Sequence, residues 1–174
     1  MTKLITDLAI INELALTREK ENNNFRSFIK ELDTDETDKV VHDINDRISS
    51  EIDCTQCGNC CKSLMINVTG EETIALAAHL QMDVAQVKEK YIEESLGGVM
   101  IINTIPCHFL KDKCCTIYEN RFTECRNFPH LDKPNLSNRL GNTMMYYGMC
   151  PIIFNVIETL KTNLGFKIEH TTLQ

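Results

Sequence analysis

Apolar residues over the first fifty positions recur with a helical period. Leu4, Leu8, Ile11 and Ala15 follow i, i+4, i+7, i+11 spacing on one face, and Ile5, Ile10, Leu14 and Leu16 widen that stripe. Asn22-Asn23-Asn24 predicts a break, after which Phe25, Phe28, Ile29 and Leu32 renew the pattern. Asp33-Thr34-Asp35-Glu36-Thr37-Asp38 predicts a second break, rich in N-cap residues and in acids that suit a helix N-terminus. Val40 or Val41, Ile44 and Ile48 then form a third stripe. Residues 1–50 hold no cysteine, glycine or proline. They read as an N-terminal helical extension whose apolar face packs on the rest of the chain.

From residue 51 the pattern changes to that of a cysteine-rich domain, taken as 51–174, with a helical insert at 68–95. Thr69-Gly70-Glu71-Glu72 has the spacing of a capping box. Ile74, Ala77, Ala78, Leu76 and Leu80 are expected to form the buried face of the helix that follows. Asp83 is expected to cap a second helix through Val84, Val87 and Tyr91. The pair resembles a helix-turn-helix, yet Lys88 and Lys90 are its only bases among many acids, too few for phosphate contacts. Gly97-Gly98 marks a turn, and 99–102 reads as a buried strand. Residues 107–118 read as a β-hairpin with the polar turn Lys111-Asp112-Lys113. One or two helical turns are expected at 119–127, a loop at 132–142 and a short strand at 144–147. Pro151 opens a strong last helix, and Gly165 is placed to end it. The fold class predicted is α+β, mainly helical, with a short β-hairpin and metal-stabilised loops.

Composition narrows the function. A chain of 174 residues, 43% apolar and 25% charged, belongs with folded globular proteins and not with disordered ones. The 25 acidic against 18 basic residues give a net charge of −7, which excludes a general binder of nucleic acid or of anionic membranes. Asp7 and Glu13 interrupt the opening, so no leader or membrane span is read there, and a cytoplasmic, reducing location is expected. The outlier is the nine cysteines, all after residue 53. In a reducing compartment such thiols point to metal ligands or redox groups.

Cys54-x2-Cys57-x2-Cys60-Cys61 is the densest motif. Two cysteines two residues apart can both reach one metal ion if the intervening turn is tight, and Gly58 supplies the freedom for that turn. The run also matches the opening of bacterial-type ferredoxins, with Cys150-Pro151 as a distant Cys-Pro. Adjacent Cys60 and Cys61 are expected to diverge, one ligating while the other packs, or each serving a different metal. Cys107 is expected near Cys114 or Cys115 across the hairpin. Cys150 falls at the start of the last helix, where unpaired N–H groups favour a thiolate. Arg121 and Arg126 flank Cys125 and could donate to sulfur or to a carboxylate. His42, His79, His130 and His170 have no ligand spacing among themselves, and His130 is the one near the motif in sequence.

Taken with Cys107-His108-Phe109-Leu110, Cys115-Thr116-Ile117-Tyr118-Glu119-Asn120-Arg121 and Cys125-Arg126-Asn127-Phe128-Pro129, the opening run resembles the CxxCxxCC cysteine-cluster family. That family is also called YkgJ-like and is described as zinc- or iron-chelating. Its pattern runs CxxCxxCC, CPFL, CxIYxxRPxxCRxFP and a late cysteine that Cys150 can supply. The resemblance implies metal binding by Cys54, Cys57, Cys60, Cys61, Cys107, Cys115, Cys125 and Cys150, with Cys114 left over. His108 stands where the family has proline, which makes it a candidate nitrogen donor, and Phe122 replaces the proline after Arg121.

Three functions compete at this stage. The first is a metal-binding module in which zinc holds the cysteine segments together, each structural site contributing on the order of 10 kcal/mol of folding free energy. The second is an iron–sulfur protein in electron transfer or protein modification; flagellin lysine-N-methylases carry a related cluster on a much longer chain. The third is a metal-free thiol oxidoreductase using Cys54 and Cys57, which lacks the βαβ setting of such motifs. Whether the chain is an enzyme is left open. The partner expected is a metal ion, with no nucleic acid and no membrane, and the acidic helices leave room for a protein partner.

Overall fold

A computed structural model describes residues 3–167 of the chain, so His170 lies outside the described residues. The fold is mainly helical with a little antiparallel strand, as the patterning predicts. It forms two compact units: residues up to Asp53 together with those from Pro129 on, and residues 54–128.

The chain enters extended. Asp7 then caps α1 (Leu8–Thr17), its carboxylate accepting from the N–H groups of Ala9 and Ile10 at 2.8 and 3.2 Å. Ile11 is the fully buried member of the predicted stripe, with Leu8 and Ala15 half-buried beside it, while Ile10 and Leu16 face solvent. The break expected at the asparagine triplet does not occur, because all three asparagines lie inside α2 (Glu19–Phe28). Asn22 is turned inward, and its Oδ1 accepts from Lys161 Nζ at 2.6 Å. A side-chain amide satisfied in the interior has no need to compete for the backbone. The interruption falls instead at Arg18, which ends α1 and begins α2. Asp33 caps α3 (Thr34–Glu51) by accepting from Glu36 N–H at 2.9 Å, and Val41, Ile44 and Ile48 form its buried stripe.

Residues 54–128 open on a 3-10 turn (Cys54–Gln56), followed by α4 (Cys60–Ser63) and β1 (Asn67–Val68). Thr69 and Glu72 make the predicted capping box at the head of α5 (Gly70–Leu80). Its buried face is Thr73, Leu76 and Ala77; Ile74 and Ala78, expected inside, point outward. Asp83 starts α6 (Val84–Tyr91), which runs into β2 (Ile92–Glu94) and then β3 (Met100–Ile102). The antiparallel order is β1-β3-β2, with Ile101 opposite both Asn67 and Glu93. The hairpin of β4 (Leu110–Lys111) and β5 (Cys114–Cys115) turns through Asp112 and Lys113, both at positive φ (49° and 72°). Those values match a type I′ turn, whose twist suits a two-residue hairpin. After α7 (Thr123–Asn127) the chain leaves this unit, whose core is built on Ile66, Val87, Ile102, Phe109, Ile117 and Phe122.

The loop expected at 132–142 contains a helix, α8 (Leu136–Met144), and the strand expected at 144–147 is the end of that helix and the turns after it. The cause is a long-range cap. Asn135 takes a left-handed φ of 64°, and the Asp38 carboxylate accepts from the N–H groups of Asn135 and Leu136. Pro151 opens α9 (Pro151–Asn163) as predicted. Gly165, at φ 67°, ends it with N–H bonds from Gly165 to Thr162 and from Phe166 to Lys161. Within this unit α9 packs along α3, and Ile153, Val156, Ile157 and Leu160 are fully buried. Among the described residues no helix is long and apolar enough to cross a membrane.

Candidate metal centre

The first cysteine pair sits on a single 3-10 turn, Cys54–Gln56, in which the Cys54 carbonyl accepts from the N–H groups of Cys57 and Gly58 at 3.1 and 3.2 Å. Gly58 has φ +61°, and a Cβ there would lie 2.5 Å from the Lys113 carbonyl oxygen. Glycine is therefore required twice, for the turn and for the close seat on the hairpin. The Cys114 thiol donates to the Thr55 carbonyl at 3.4 Å, so the hairpin tip and the Cys54–Gly58 turn lie against each other.

Five further thiols form a second group, each with its protonation shifted by at least one of the others: Cys60 and Cys61 on α4, Cys107 before β4, Cys115 on β5 and Cys125 on α7. They come from four separate stretches of chain. Backbone hydrogen bonds hold those stretches together, with Cys107 N–H donating to the Cys61 carbonyl at 2.8 Å and Thr116 N–H to that of Phe109 at 2.7 Å. All five are half-buried, and Cys107, Cys115 and Cys125 pack on the apolar core. The divergence expected of Cys60 and Cys61 is not found, since their sulfurs lie 4.0 Å apart. The contact with Cys61 lowers the Cys60 thiol to about 7, against the opposing effect of burial, and the same contact pushes Cys61 up. Burial raises Cys107 and Cys115, and raises Cys125 to about 12.

Two carboxylates that the sequence reading did not assign to the site position α7. Glu72, whose Oε2 closes the capping box on Thr69, accepts from Thr123 N–H through its other oxygen at 2.6 Å. Burial would raise the Glu72 carboxyl, but these two backbone donors hold it below its ordinary value. Glu124 accepts from the backbone N–H of Asn67 and, at 3.1 Å, from its side-chain amide, which ties α7 to β1. The S/T-x-x-E spacing could reveal the local half of the Glu72 role, but the contact 51 residues away leaves no local signal. Arg121 and Arg126 both donate to backbone carbonyls: Arg121 Nη1 to Tyr118 at 2.8 Å, and Arg126 to Glu119 and Arg121. Arg121 lies 3.8 Å over the Tyr118 ring, and its charge opposes the rise of the Cys115 thiol. His108 bonds Asn103 Oδ1 through Nε2 at 2.7 Å, on an exposed turn. His79 faces Asn120 at 3.1 Å.

None of the nine cysteines is in a disulfide. Eight of them fall in the 54–128 unit; Cys150, as N-cap of α9, and His130 fall in the other. Among the described residues no three Cys, His, Asp or Glu side chains are already arranged around one metal ion. The donor chemistry nonetheless fits a soft or borderline cation. The interior thiols are clustered, burial disfavours their negative form, and a bound cation reverses that preference and makes them thiolates.

The site is thus a thiol-rich centre whose donors come from loops and short elements. The sequence matches, over residues 53–150, the model of the CxxCxxCC family, described as "Putative zinc- or iron-chelating domain". The chain belongs to that family. No curated protein and no solved structure matches it.

Proposed function

We propose that the protein binds zinc or an iron–sulfur centre through Cys54, Cys57, Cys60, Cys61, Cys107, Cys115, Cys125 and Cys150. The observation that carries this reading is the group of half-buried thiols from four stretches of chain, Cys60, Cys61, Cys107, Cys115 and Cys125, none of them in a disulfide and three of them packed on one apolar core. Zinc would supply a cross-link between loops and an iron–sulfur cluster a one-electron centre. The chain's own residues orient the donors: Glu72 and Glu124 hold α7, Arg126 closes the turn before it, and Gly58 lets the first pair sit on the hairpin. A reducing compartment such as the cytoplasm would keep the thiols available. The test is elemental analysis with an absorption spectrum on one oxygen-free preparation. Stoichiometric zinc in a colourless protein, or iron and sulfide with absorbance near ~400 nm, is the expected result. A folded preparation with neither overturns the proposal.

The 4.0 Å approach of Cys60 and Cys61 favours one alternative, a metal-free thiol redox protein. Metal-free protein that stays folded and cycles a disulfide reversibly would decide for it.

A further inference from the structure

Residues of the helical unit line a cleft of about 460 Å³. That volume lies in the range of small-molecule sites, roughly 300–1,000 Å³. One wall is the extended entry segment, which Asn155 pins in place. Its Oδ1 accepts from Ile5 N–H at 2.9 Å, and its Nδ2 donates to the Ile5 carbonyl at 2.7 Å. Asn155 is itself buried, so the wall is held by a satisfied interior polar group and not by a surface contact. The other walls are the last turns of α3 and one face of α9; the half-buried Leu4 and Ile5 of the entry segment supply apolar surface, since Ile48 and Phe154 are each only 1% exposed.

Charge selects the occupant. Lys3, Arg18 and Arg47 line the cleft against Glu51 and Glu158. Glu158 is already neutralised: Oε1 accepts from Lys161 and from Tyr147, both at 2.7 Å, and Oε2 pairs with Arg18. Lys161, buried behind Glu158, is itself paired with Glu21 and Glu158, so the excess charge at the cleft comes from Lys3 and Arg47. Arg47 and Lys3 make no ion pair among the described residues. The balance facing the opening is therefore positive, in a protein whose net charge is −7.

We propose that this cleft binds a small organic anion, a carboxylate or phosphate group directed to Arg47 and Lys3 with an apolar body against Leu4 and Ile5. The proposal uses none of the eight cysteines, so its success or failure is separate from that of the metal reading. The test is titration of the ¹⁵N-labelled full chain with octanoate and, separately, with octyl phosphate, followed by amide spectra. Saturable shifts centred on Arg47, Ile48, Asn155 and Thr159 with either probe are expected, and the probe that binds distinguishes carboxylate from phosphate. Arg47→Glu or Lys3→Glu should weaken that binding by at least ~10-fold while helical content and metal content stay unchanged. Absence of saturation with both probes, or binding that neither variant weakens, overturns the proposal.

Discussion

Cys114 and Cys115 are neighbours in sequence with opposite surroundings. Cys115 packs on the core among the half-buried thiols, whereas Cys114 is exposed at the hairpin tip. Cys115→Ala, like Cys57→Ala or Cys125→Ala, should therefore lower metal per chain and folding yield, and Cys114→Ala should leave both near the parent; metal analysis of matched preparations checks this. Glu72 makes a pH-dependent contribution whose sign follows from its partners. Its folded-state carboxyl lies below the ordinary value, so the stabilisation is present at neutral pH and is lost as pH falls through that lowered value. Glu72→Gln should accordingly flatten the acid limb of stability against pH, measured by denaturant unfolding at a series of pH values. At this scale the sequence spoke clearly for cysteines, because a dense thiol pattern has few alternatives. It showed only the capping-box half of Glu72's role, and nothing of its bond to Thr123, 51 residues on, or of Glu124's bonds to Asn67, 57 residues back. His108 and the two arginines, which chemistry alone admits as donors to the site, spend their hydrogen bonds on Asn103 and on backbone carbonyls.

The elements divide by where their capping groups come from. Helices capped from within, α3, α5, α6 and α9, were readable from Asp33, the Thr69–Glu72 box, Asp83 and Pro151; α1 was readable from its apolar stripe, with its local cap, Asp7, added by the structure. The α8 helix was not, since its first N–H groups are met by Asp38 of α3, almost a hundred residues earlier. Asp38→Ala removes that cap and should cost about 1–2 kcal/mol of stability, read from chemical denaturation with helicity as the probe. Strands β1 and β2 escaped notice for a related reason: two or three residues show no period, and only pairing with β3 defines them. The hairpin was legible because its polar turn separates two apolar-and-cysteine runs.

Across the whole molecule, the helical unit has an aliphatic and aromatic core of its own, with Phe25, Ile29, Val41, Leu136, Ile153 and Phe154 fully buried. The 54–128 unit has a smaller core bordered by thiols. If a metal supplies the remaining stabilisation, chelation should remove structure chiefly from residues 54–128 and leave the α3–α9 pairing folded. Hydrogen exchange before and after metal removal checks this, and uniform loss of protection across both units would contradict it. The apolar stripes of the first fifty residues foretold helices but not their partners; that they meet α8 and α9 depends on contacts the local pattern does not carry.

The fit of Gly58 over the Lys113 carbonyl has one more consequence. With no room for even a methyl group, position 58 acts as a spacer of zero thickness between the turn that carries Cys54 and Cys57 and the ribbon that carries Cys114 and Cys115. Gly58→Ala would prise those two sulfur-bearing loops apart while deleting no thiol. A fall in bound metal in that variant would show that spacing, and not donor number alone, governs retention of the ion.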